Sequence, residues 1–245
     1  MKSVIIIPAR LAASRFPNKP LAKINGVPMI GHCFLNANKS RKAHSVYVAT
    51  PDKEIFEYIT SIGGNAIMTS KKHNRASDRA AEALLKIEKK IGKVDIVVMF
   101  QGDEPMITFK MIDKSIDLMS KTKKINVINL ITKISSNDAK DINEIKVVKD
   151  KNDNAIYFSR LPIPYFKKTN YKTLFYKQVC VIPFRRNTLL NFNKMKESSL
   201  EKNESIDMLR LIENGFKIKL IYNSKITYSV DNLNDLKKVR KLMKR

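Results

Sequence analysis

Short apolar runs alternate with segments of helical pattern through the N-terminal part of the chain, and this alternation constrains the fold more than any other feature. The apolar runs are Val4–Ile7, Ser45–Ala49, Asn65–Met68 and Asp95–Phe100, and a helical pattern separates each from the next. Strands that alternate with helices build a parallel sheet with helices on both of its faces. The pattern therefore predicts an α/β fold with a doubly wound, mainly parallel sheet.

The pattern changes after Pro105, where strand signals dominate as far as about residue 185. We interpret residues 1–245 as a single domain, because no long linker or repeat divides them and this length fits one large α/β unit. A small strand-rich subregion, at about 107–185, is expected to be laid on the main sheet. The other predicted elements are helices at Met29–Ala37, Asp52–Gly63, Ser77–Lys90, Ile107–Ser120, Leu200–Glu213 and Asn232–Lys244, a helix beginning at Asn187, and strands at Asn126–Ile131, Glu144–Lys149, Asn154–Phe158, Gln178–Phe184 and Lys217–Tyr222.

The formal charge of +24 is the strongest compositional signal. A strongly basic chain often binds nucleic acid. Here the excess is mostly Lys spread along the whole chain, without an arginine-rich arm, a Trp or an aromatic RNA-binding motif. We therefore expect no nucleic-acid partner, and we interpret the charge as a solvated basic surface that attracts phosphorylated or acidic substrates.

The sequence shows neither a secretion signal nor a membrane span. The apolar run near the N-terminus covers only Val4–Ile7, which is too short for the core of a signal peptide. No apolar run approaches the roughly 18 residues of a spanning helix. We expect a cytoplasmic protein without a membrane partner, in which Cys33 and Cys180 stay reduced.

A cationic loop of small residues, at positions 8–21, directly follows the first predicted strand. Ligands of open parallel sheets bind beyond the carboxyl ends of the strands. Arg10, Arg15 and Lys19 bring three positive charges to that place, and backbone N–H groups of the small residues can approach phosphates. The loop therefore predicts a site for a nucleoside triphosphate.

An acidic turn, Gln101–Pro105, follows the fourth predicted strand. An acid at this end of a parallel strand faces the same crevice as the cationic loop. Mg²⁺ prefers carboxylates combined with phosphate oxygens and water. Asp103 is therefore a candidate magnesium ligand.

Loop 8–21 is similar to the signature PAR-x-x-S-[ST]-R-[LF]-P-G-K-P-L, and segments 24–30, 73–79, 101–105, 146–148, 157–164, 204–210 and 230–231 follow in matching order. In this combination the chain resembles the sugar-acid cytidylyltransferases, the family that makes CMP-Kdo and its relatives. The resemblance implies a Rossmann-like nucleotidyltransferase fold and a homodimer that associates through about 107–185. It also implies transfer of CMP from CTP to 3-deoxy-D-manno-octulosonate (Kdo), an acidic 3-deoxy-2-keto sugar, with release of pyrophosphate, for lipopolysaccharide biosynthesis.

The resemblance also assigns residues to roles. It implies Mg²⁺ bound by Asp103 and Asp231, and catalysis by these two residues with Lys19 and Arg10. It places the nucleotide against Pro8, Ala9, Arg10, Leu11, Ser14, Arg15, Lys19, Ser77, Gln101 and Asp103, and the sugar against Asp78, Arg79, Arg160, Gln178, Glu204 and Asp207. Ser77 has a second interpretation, as the N-cap of the helix that follows it.

The departures from the family pattern concentrate on the sugar side. They are Arg75, Ala76, Gln178, Cys180 and Met208, where Ser, Gly, His, Gly and Gln are usual. Because a site that hydrogen-bonds particular hydroxyl groups discriminates strongly, such changes leave another acid sugar, an amino-Kdo or a nonulosonate, as an alternative substrate. A nucleic-acid-binding protein without enzymatic activity is the second alternative.

Overall fold

The computed structural model describes residues 1–12, 16–165 and 174–244. Within this part, ten strands form one sheet and two short strands form a separate hairpin. The strands are β1 (Ser3–Pro8), β2 (Lys23–Ile24), β3 (Val27–Pro28), β4 (Ser45–Thr50), β5 (Asn65–Met68), β6 (Ile96–Phe100), β7 (Val127–Ile134), β8 (Lys146–Lys149), β9 (Ala155–Ser159), β10 (Phe175–Val179), β11 (Val181–Arg185) and β12 (Ile218–Tyr222). The helices are α1 (Met29–Ala37), α2 (Lys53–Ser61), α3 (Ala76–Ile91), α4 (Phe109–Lys121), α5 (Arg186–Lys194), α6 (Ser199–Glu204), α7 (Met208–Glu213) and α8 (Leu233–Leu242).

The N-terminal half of the sheet is parallel. Its strand order is β5-β4-β1-β6, and each neighbouring pair has parallel register. Side chains of β1 alternate between the two faces: Val4 and Ile6 pack in one apolar cluster with α3, α5 and α7, whereas Ile5 and Ile7 pack in the other with α1, α2 and α4. The predicted α/β fold with a doubly wound, mainly parallel sheet is confirmed.

The strand-rich segment continues this sheet, so the expectation that it is laid on the main sheet is wrong. β11 pairs antiparallel with β6, and β7 to β10 extend the sheet from there. β10 and β11 lie along one side of β7 and are interrupted at Cys180. The interruption lies beside the end of β6, where the Gln101 N–H donates to the Cys180 carbonyl at 3.1 Å. This hydrogen bond places the residues after β6 next to the break between β10 and β11.

The predicted helix Leu200–Glu213 is wrong, because the structure divides it into α6 and α7. Ser205 adopts a left-handed conformation with φ 54°, which ends α6. α6 has its own N-terminal capping box, in which Ser198 and Glu201 satisfy each other's backbone N–H groups. The last helix, α8, begins as predicted after Asn232, whose side chain accepts hydrogen bonds from the N–H groups of Asn234 and Asp235.

The hairpin of β2 and β3 lies outside the predicted elements. Its turn contains Asn25 and Gly26, both with positive φ, which is the backbone that a tight two-residue hairpin requires. No helix in the described ranges is long and apolar enough to cross a membrane. The cytoplasmic location stays a prediction.

Candidate active site

A cleft of about 470 Å³ lies at the carboxyl ends of β1 and β6. Segments from both halves of the sheet contribute to its wall, including the residues after β1, the acidic turn after β6, the break at Cys180 and the connection between α6 and α7. The residues predicted from the sequence that line it are Pro8, Ala9, Arg10, Lys19, Arg79, Gln101, Asp103, Arg160, Gln178, Asp207 and Asp231.

Lys19 joins the two carboxylates that were predicted to hold a metal. Its Nζ lies 2.8 Å from Asp103 Oδ2 and 3.5 Å from Asp231 Oδ1. Burial alone would lower the pKa of Lys19, but the charges of Asp103 and Asp231 outweigh it and hold the pKa above its usual value. The ammonium group is therefore charged at neutral pH and sits where both carboxylates converge.

A backbone contact explains how Asp231 reaches Asp103 from the far end of the chain. The Val230 N–H donates to the Asp103 carbonyl at 3.0 Å. On the other side, the Asp231 N–H donates to Asp235 Oδ2 at 3.0 Å, in the first turn of α8. The position of Asp231 is thus fixed by the acidic turn and by the start of the last helix.

Lys19 is the first residue of a short 3-10 turn, Lys19–Leu21, which positions its side chain. Asn18 precedes this turn with φ 57°, a left-handed conformation that Asn tolerates better than most residues. Its N–H donates to the Leu11 carbonyl at 3.2 Å, and Pro20 is buried. The loop is therefore folded back on the segment that follows β1.

That segment is held against β4. The Ala9 N–H donates to the Ala49 carbonyl at 2.9 Å, and the Leu11 N–H donates to Asp52 Oδ2 at 2.7 Å. Arg10 is exposed, and its Nη1 donates to the His73 carbonyl at 3.2 Å. Leu11 lies outside the cleft lining, while Ser14 and Arg15 lie outside the described residues.

Gly102 allows the acidic turn to approach the residues after β1. A Cβ at this position would meet Ile30 Cδ1 at 3.0 Å, the Pro8 carbonyl at 3.2 Å and Ala9 Cβ at 3.4 Å. A side chain here would therefore push the turn that carries Asp103 away from Pro8 and Ala9.

Glu104 is a buried acid that the role assignments from sequence missed. Its Oε1 accepts from the Cys180 N–H at 3.2 Å, and its Oε2 has no hydrogen-bond partner among the described residues. Burial raises the pKa of Glu104 to about 7, opposed by the charge of Lys177 and reinforced by that of Asp103. Its position beside Asp103 in the acidic turn was the available signal, but burial cannot be read from an acidic residue in a turn.

Arg160 lies at the opposite end of the cleft and is held by Glu204. Its backbone N–H donates to Glu204 Oε2 at 2.8 Å, and its Nε donates to the Glu204 carbonyl at 2.6 Å. Ser159 Oγ also donates to Glu204 Oε1, at 3.1 Å. Glu204 lies outside the cleft lining, so its contacts orient Arg160 rather than face the cleft.

Lys146 is a second buried residue that supports this end and was not assigned a role. Its Nζ donates to the Asp141 carbonyl at 2.7 Å and to the Arg160 carbonyl at 2.5 Å. Burial lowers the pKa of Lys146, opposed by the charges of Asp141 and Glu144. The buried ammonium ties Arg160 to the loop that precedes β8.

Ser77 is not an N-cap, because α3 begins one residue earlier, with Arg75 in the cap position. Ser77 is fully buried, and its hydroxyl donates to Asp207 Oδ2 at 3.2 Å. Burial raises the pKa of Asp207, while the charge of Arg75 opposes that effect. Ser77 lies behind the cleft wall and Asp207 lies on it.

The remaining sugar-side residues make structural contacts. Arg79 is buried and donates to Thr69 Oγ1 and to the carbonyls of Ser70 and His73, so it fixes the loop before α3. Asp78 lies outside the cleft lining and accepts from Asn193 on α5 at 2.7 Å. Gln178 donates to Asn129 Oδ1 at 2.6 Å.

Comparison with known proteins shows the family. A model of the cytidylyltransferase family matches residues 4–221. The 3-deoxy-manno-octulosonate cytidylyltransferase of Thermodesulfovibrio yellowstonii is 38% identical, over 99% of this chain and 98% of that protein. The chain belongs to the cytidylyltransferase family. This confirms the resemblance seen in the sequence motifs and the predicted enzyme class, a nucleotidyltransferase.

Other relatives of this cytidylyltransferase agree. The enzyme of the same name from Fusobacterium nucleatum is 37% identical over 98% of this chain and 96% of that protein. A solved structure of CMP:2-keto-3-deoxy-manno-octonic acid synthetase complexed with CTP has a TM-score of 0.91, with 37% identity over 100% of this chain and 99% of that one. A cytidylyltransferase from Leptospira borgpetersenii, 17% identical with a TM-score of 0.66, shares the fold.

The donor set of this cytidylyltransferase fits a magnesium ion. Asp103 and Asp231 offer hard carboxylate oxygens around one point, the Lys19 ammonium. No cluster of three or more His, Cys, Asp or Glu side chains that could hold a metal occurs among the residues described. Mg²⁺ usually takes only one or two protein carboxylates and completes its coordination with water and substrate phosphates. The chemistry of the two carboxylates therefore suits a metal that arrives with a nucleotide.

Proposed function

We propose that the protein transfers CMP from CTP to Kdo, giving CMP-Kdo and pyrophosphate. The observation that carries the proposal is the meeting of Lys19, Asp103 and Asp231 in one cleft, in a member of the cytidylyltransferase family. The relatives that match nearly the whole chain are named for 3-deoxy-manno-octulosonate, and on this basis we propose Kdo as the sugar substrate. CMP-Kdo formed here would serve lipopolysaccharide biosynthesis.

The triphosphate is held at the cationic end of the cleft. Arg10 is exposed at the mouth, and Lys19 lies deeper between the carboxylates. With Arg15 they would bind the β- and γ-phosphates, while backbone N–H groups beyond β1 approach the nucleotide. Gln101, which lines the cleft, is proposed to lie on the nucleotide side.

Asp103 and Asp231 would hold Mg²⁺. A bound ion would supply positive charge beside the α-phosphate and the attacking oxygen. Lys19 balances the two carboxylates and brings a fixed positive charge toward the departing pyrophosphate. The anomeric hydroxyl of the sugar attacks the α-phosphorus in line with that leaving group.

Catalysis then consists of positioning and electrostatic stabilisation, and no side chain has to act as a nucleophile. Arg160 is proposed to pair with the sugar carboxylate, because its guanidinium is oriented by Glu204 toward the cleft lining. Asp207 and Gln178 are proposed to meet sugar hydroxyl groups.

A pyrophosphate-release assay with CTP and a panel of acid sugars tests the proposal. Kdo should give the highest kcat/KM, and omission of the sugar should abolish release. A higher kcat/KM for an amino-Kdo or a nonulosonate would support the proposed nucleotidyl transfer but replace Kdo as the proposed sugar substrate. Absence of turnover with every sugar, together with nucleic-acid binding that survives about 200 mM salt, would replace the proposal altogether.

A homodimer through the segment 107–185 is also proposed. Apolar side chains of this segment are exposed in the single chain, and a second copy could cover them. The mass in solution, measured by light scattering, should correspond to two chains, and charged substitutions at Ile156 and Leu161 should give one. Among the described residues of the segment, the exposed large apolar side chains are Ile142, Ile156, Leu161, Tyr165 and Leu174.

A further inference from the structure

Two arginine side chains converge on Ser205 at the sugar end of the cleft. Arg75 Nη1 donates to Ser205 Oγ at 3.4 Å, and Arg160 Nη2 donates to the Ser205 carbonyl at 3.4 Å. Both arginines line the cleft. Because Ser205 is the left-handed residue between α6 and α7, the bend in the chain brings its polar atoms to both guanidinium groups.

The protein leaves both guanidinium groups with binding capacity. Arg160 donates to carbonyl oxygens of Glu204, Ile142 and Ser205, and forms no ion pair within the described ranges. A guanidinium has five N–H donors, and carbonyl oxygens leave its charge uncompensated. Arg160 therefore remains a full positive charge on the cleft wall.

Arg75 has only long contacts with Glu197 and Glu201, and it also interacts through its charge with Asp207. Its Nε lies 3.4 Å from Glu197 Oε1 and 3.7 Å from Glu201 Oε1. A strong charge-assisted hydrogen bond spans about 2.7–2.9 Å. Glu201 is already paired through both oxygens with Arg210, at 2.6 Å each. Arg75 can therefore turn toward an anionic ligand without breaking a strong ion pair.

We propose that Arg75 is a specificity-determining residue that binds the carboxylate of the acid sugar together with Arg160. The inference rests on the proposed function and deepens it, because it adds Arg75 as a second residue to the carboxylate contact proposed for Arg160. A carboxylate has two oxygens with about four acceptor positions, enough for a guanidinium on each side. A neutral carboxamide has one acceptor oxygen and no charge, so it would leave the two cations unpaired.

A purely structural role for Arg75 makes a different prediction. In that role the side chain would only connect the start of α3 to Ser205 and Glu197. Its loss would then weaken every ligand at this end of the cleft by the same factor. Selective loss of the carboxylate interaction separates the two roles.

The experiment compares R75S and R75K with a matched control, K71S. Lys71 is an exposed cation of the same loop and lies outside the cleft lining. Steady-state pyrophosphate release gives KM and kcat for Kdo and for CTP, and the C1 carboxamide of Kdo serves as a competitive inhibitor. R75S should raise KM for Kdo by about tenfold or more and leave KM for CTP and Ki of the carboxamide within about twofold. R75K should be intermediate, and K71S should match the wild type.

Two results would overturn the inference. One is an unchanged KM for Kdo in an active R75S enzyme. The other is an equal loss for Kdo and its carboxamide, which would make Arg75 structural. Failure of the proposed function looks different: the wild type itself would then release no pyrophosphate with Kdo, and the inference would fall with it. Thermal denaturation of each variant confirms that the folded enzyme is being compared.

Discussion

At the scale of single residues, Lys19 is the group on which the triphosphate end depends. It lies between two carboxylates that would otherwise repel each other and an anionic substrate. Lys19→Met removes a fixed positive charge near the reacting phosphates, so kcat should fall by about 100- to 1000-fold. Lys71→Met, at an exposed position outside the cleft, is the control and should retain wild-type kcat. A K19M enzyme within about threefold of the wild type in kcat would remove Lys19 from the proposed mechanism.

Sequence reasoning at this scale depended on recognised motifs. The proximity of Asp103 and Asp231 came from the family resemblance, because no local pattern marks an Asp before a helix as a partner of a distant acid. Glu104 and Lys146 were not assigned roles because their function depends on burial and on contacts across the sheet. Such contacts leave no periodic signal in the sequence.

At the scale of elements, α6 and α7 are joined by a buried ion pair. Arg210 on α7 donates from Nε and Nη2 to the two oxygens of Glu201 on α6, and both side chains are almost fully buried. Arg210→Met removes the two close donors of the buried Glu201 carboxylate and leaves it only the longer contact with Arg75, which should lower the free energy of unfolding by about 3 kcal/mol. Urea denaturation of R210M measures this loss.

The double variant E201Q/R210M is the control for that experiment, because Gln is neutral and can still accept from the Ser198 N–H in the capping box. It removes both charges and should therefore be more stable than R210M alone. If R210M unfolds at the same urea concentration as the wild type, the pair contributes nothing to holding α6 on α7.

The loop before α3 carries a pH-dependent contact. Burial would raise the pKa of Glu82, but hydrogen bonds from Lys86, the Ser70 N–H and His73 outweigh it and lower the pKa from 4.5 to about 2. A carboxyl group whose pKa is lower in the folded than in the unfolded protein stabilises the fold at pH values above its unfolded pKa. For Glu82 this contribution disappears as the pH falls from about 4.5 toward 2.

Glu82→Gln should therefore lower the free energy of unfolding by about 1 kcal/mol at pH 7. The value is small because Glu82 and its partners are partly exposed to solvent. At pH 3 the difference from the wild type should shrink. Chemical denaturation at the two pH values provides the measurement, and an equal difference at both would contradict the role assigned to Glu82.

Some boundaries of helices and strands could be predicted from the sequence pattern, and others could not. α1 and β5 were predicted to the residue. Most residues of α1 are buried, whereas β5 is a short strand in which only Ile67 is buried. The break at Ser205 was missed because a left-handed Ser has no sequence signature, and α6 and α7 together have continuous helical character. The interruption at Cys180 was missed for a related reason, because it arises where β6 ends against the neighbouring strand.

At the scale of the whole molecule, the sheet brings a cationic and an acidic loop together at one edge. The parallel half was predictable, because alternating strands and helices permit few arrangements. The continuation through β11 into the strand-rich half was not, because antiparallel pairing between distant segments has no local signal. That continuation completes the cleft, since it adds Arg160 to the cleft wall and sets Cys180 against the acidic turn.

CMP-Kdo is proposed to form from CTP at this edge of the sheet, and the reaction should depend on Asp103. The most direct test is ³¹P NMR of CTP, Kdo and Mg²⁺ with the wild type and with D103N, both checked for folding by circular dichroism. The wild type should produce pyrophosphate and a new phosphodiester signal only when Kdo is present, and D103N should produce neither. Equal product formation by D103N would contradict the role of Asp103, and none by the folded wild type would contradict the proposed reaction.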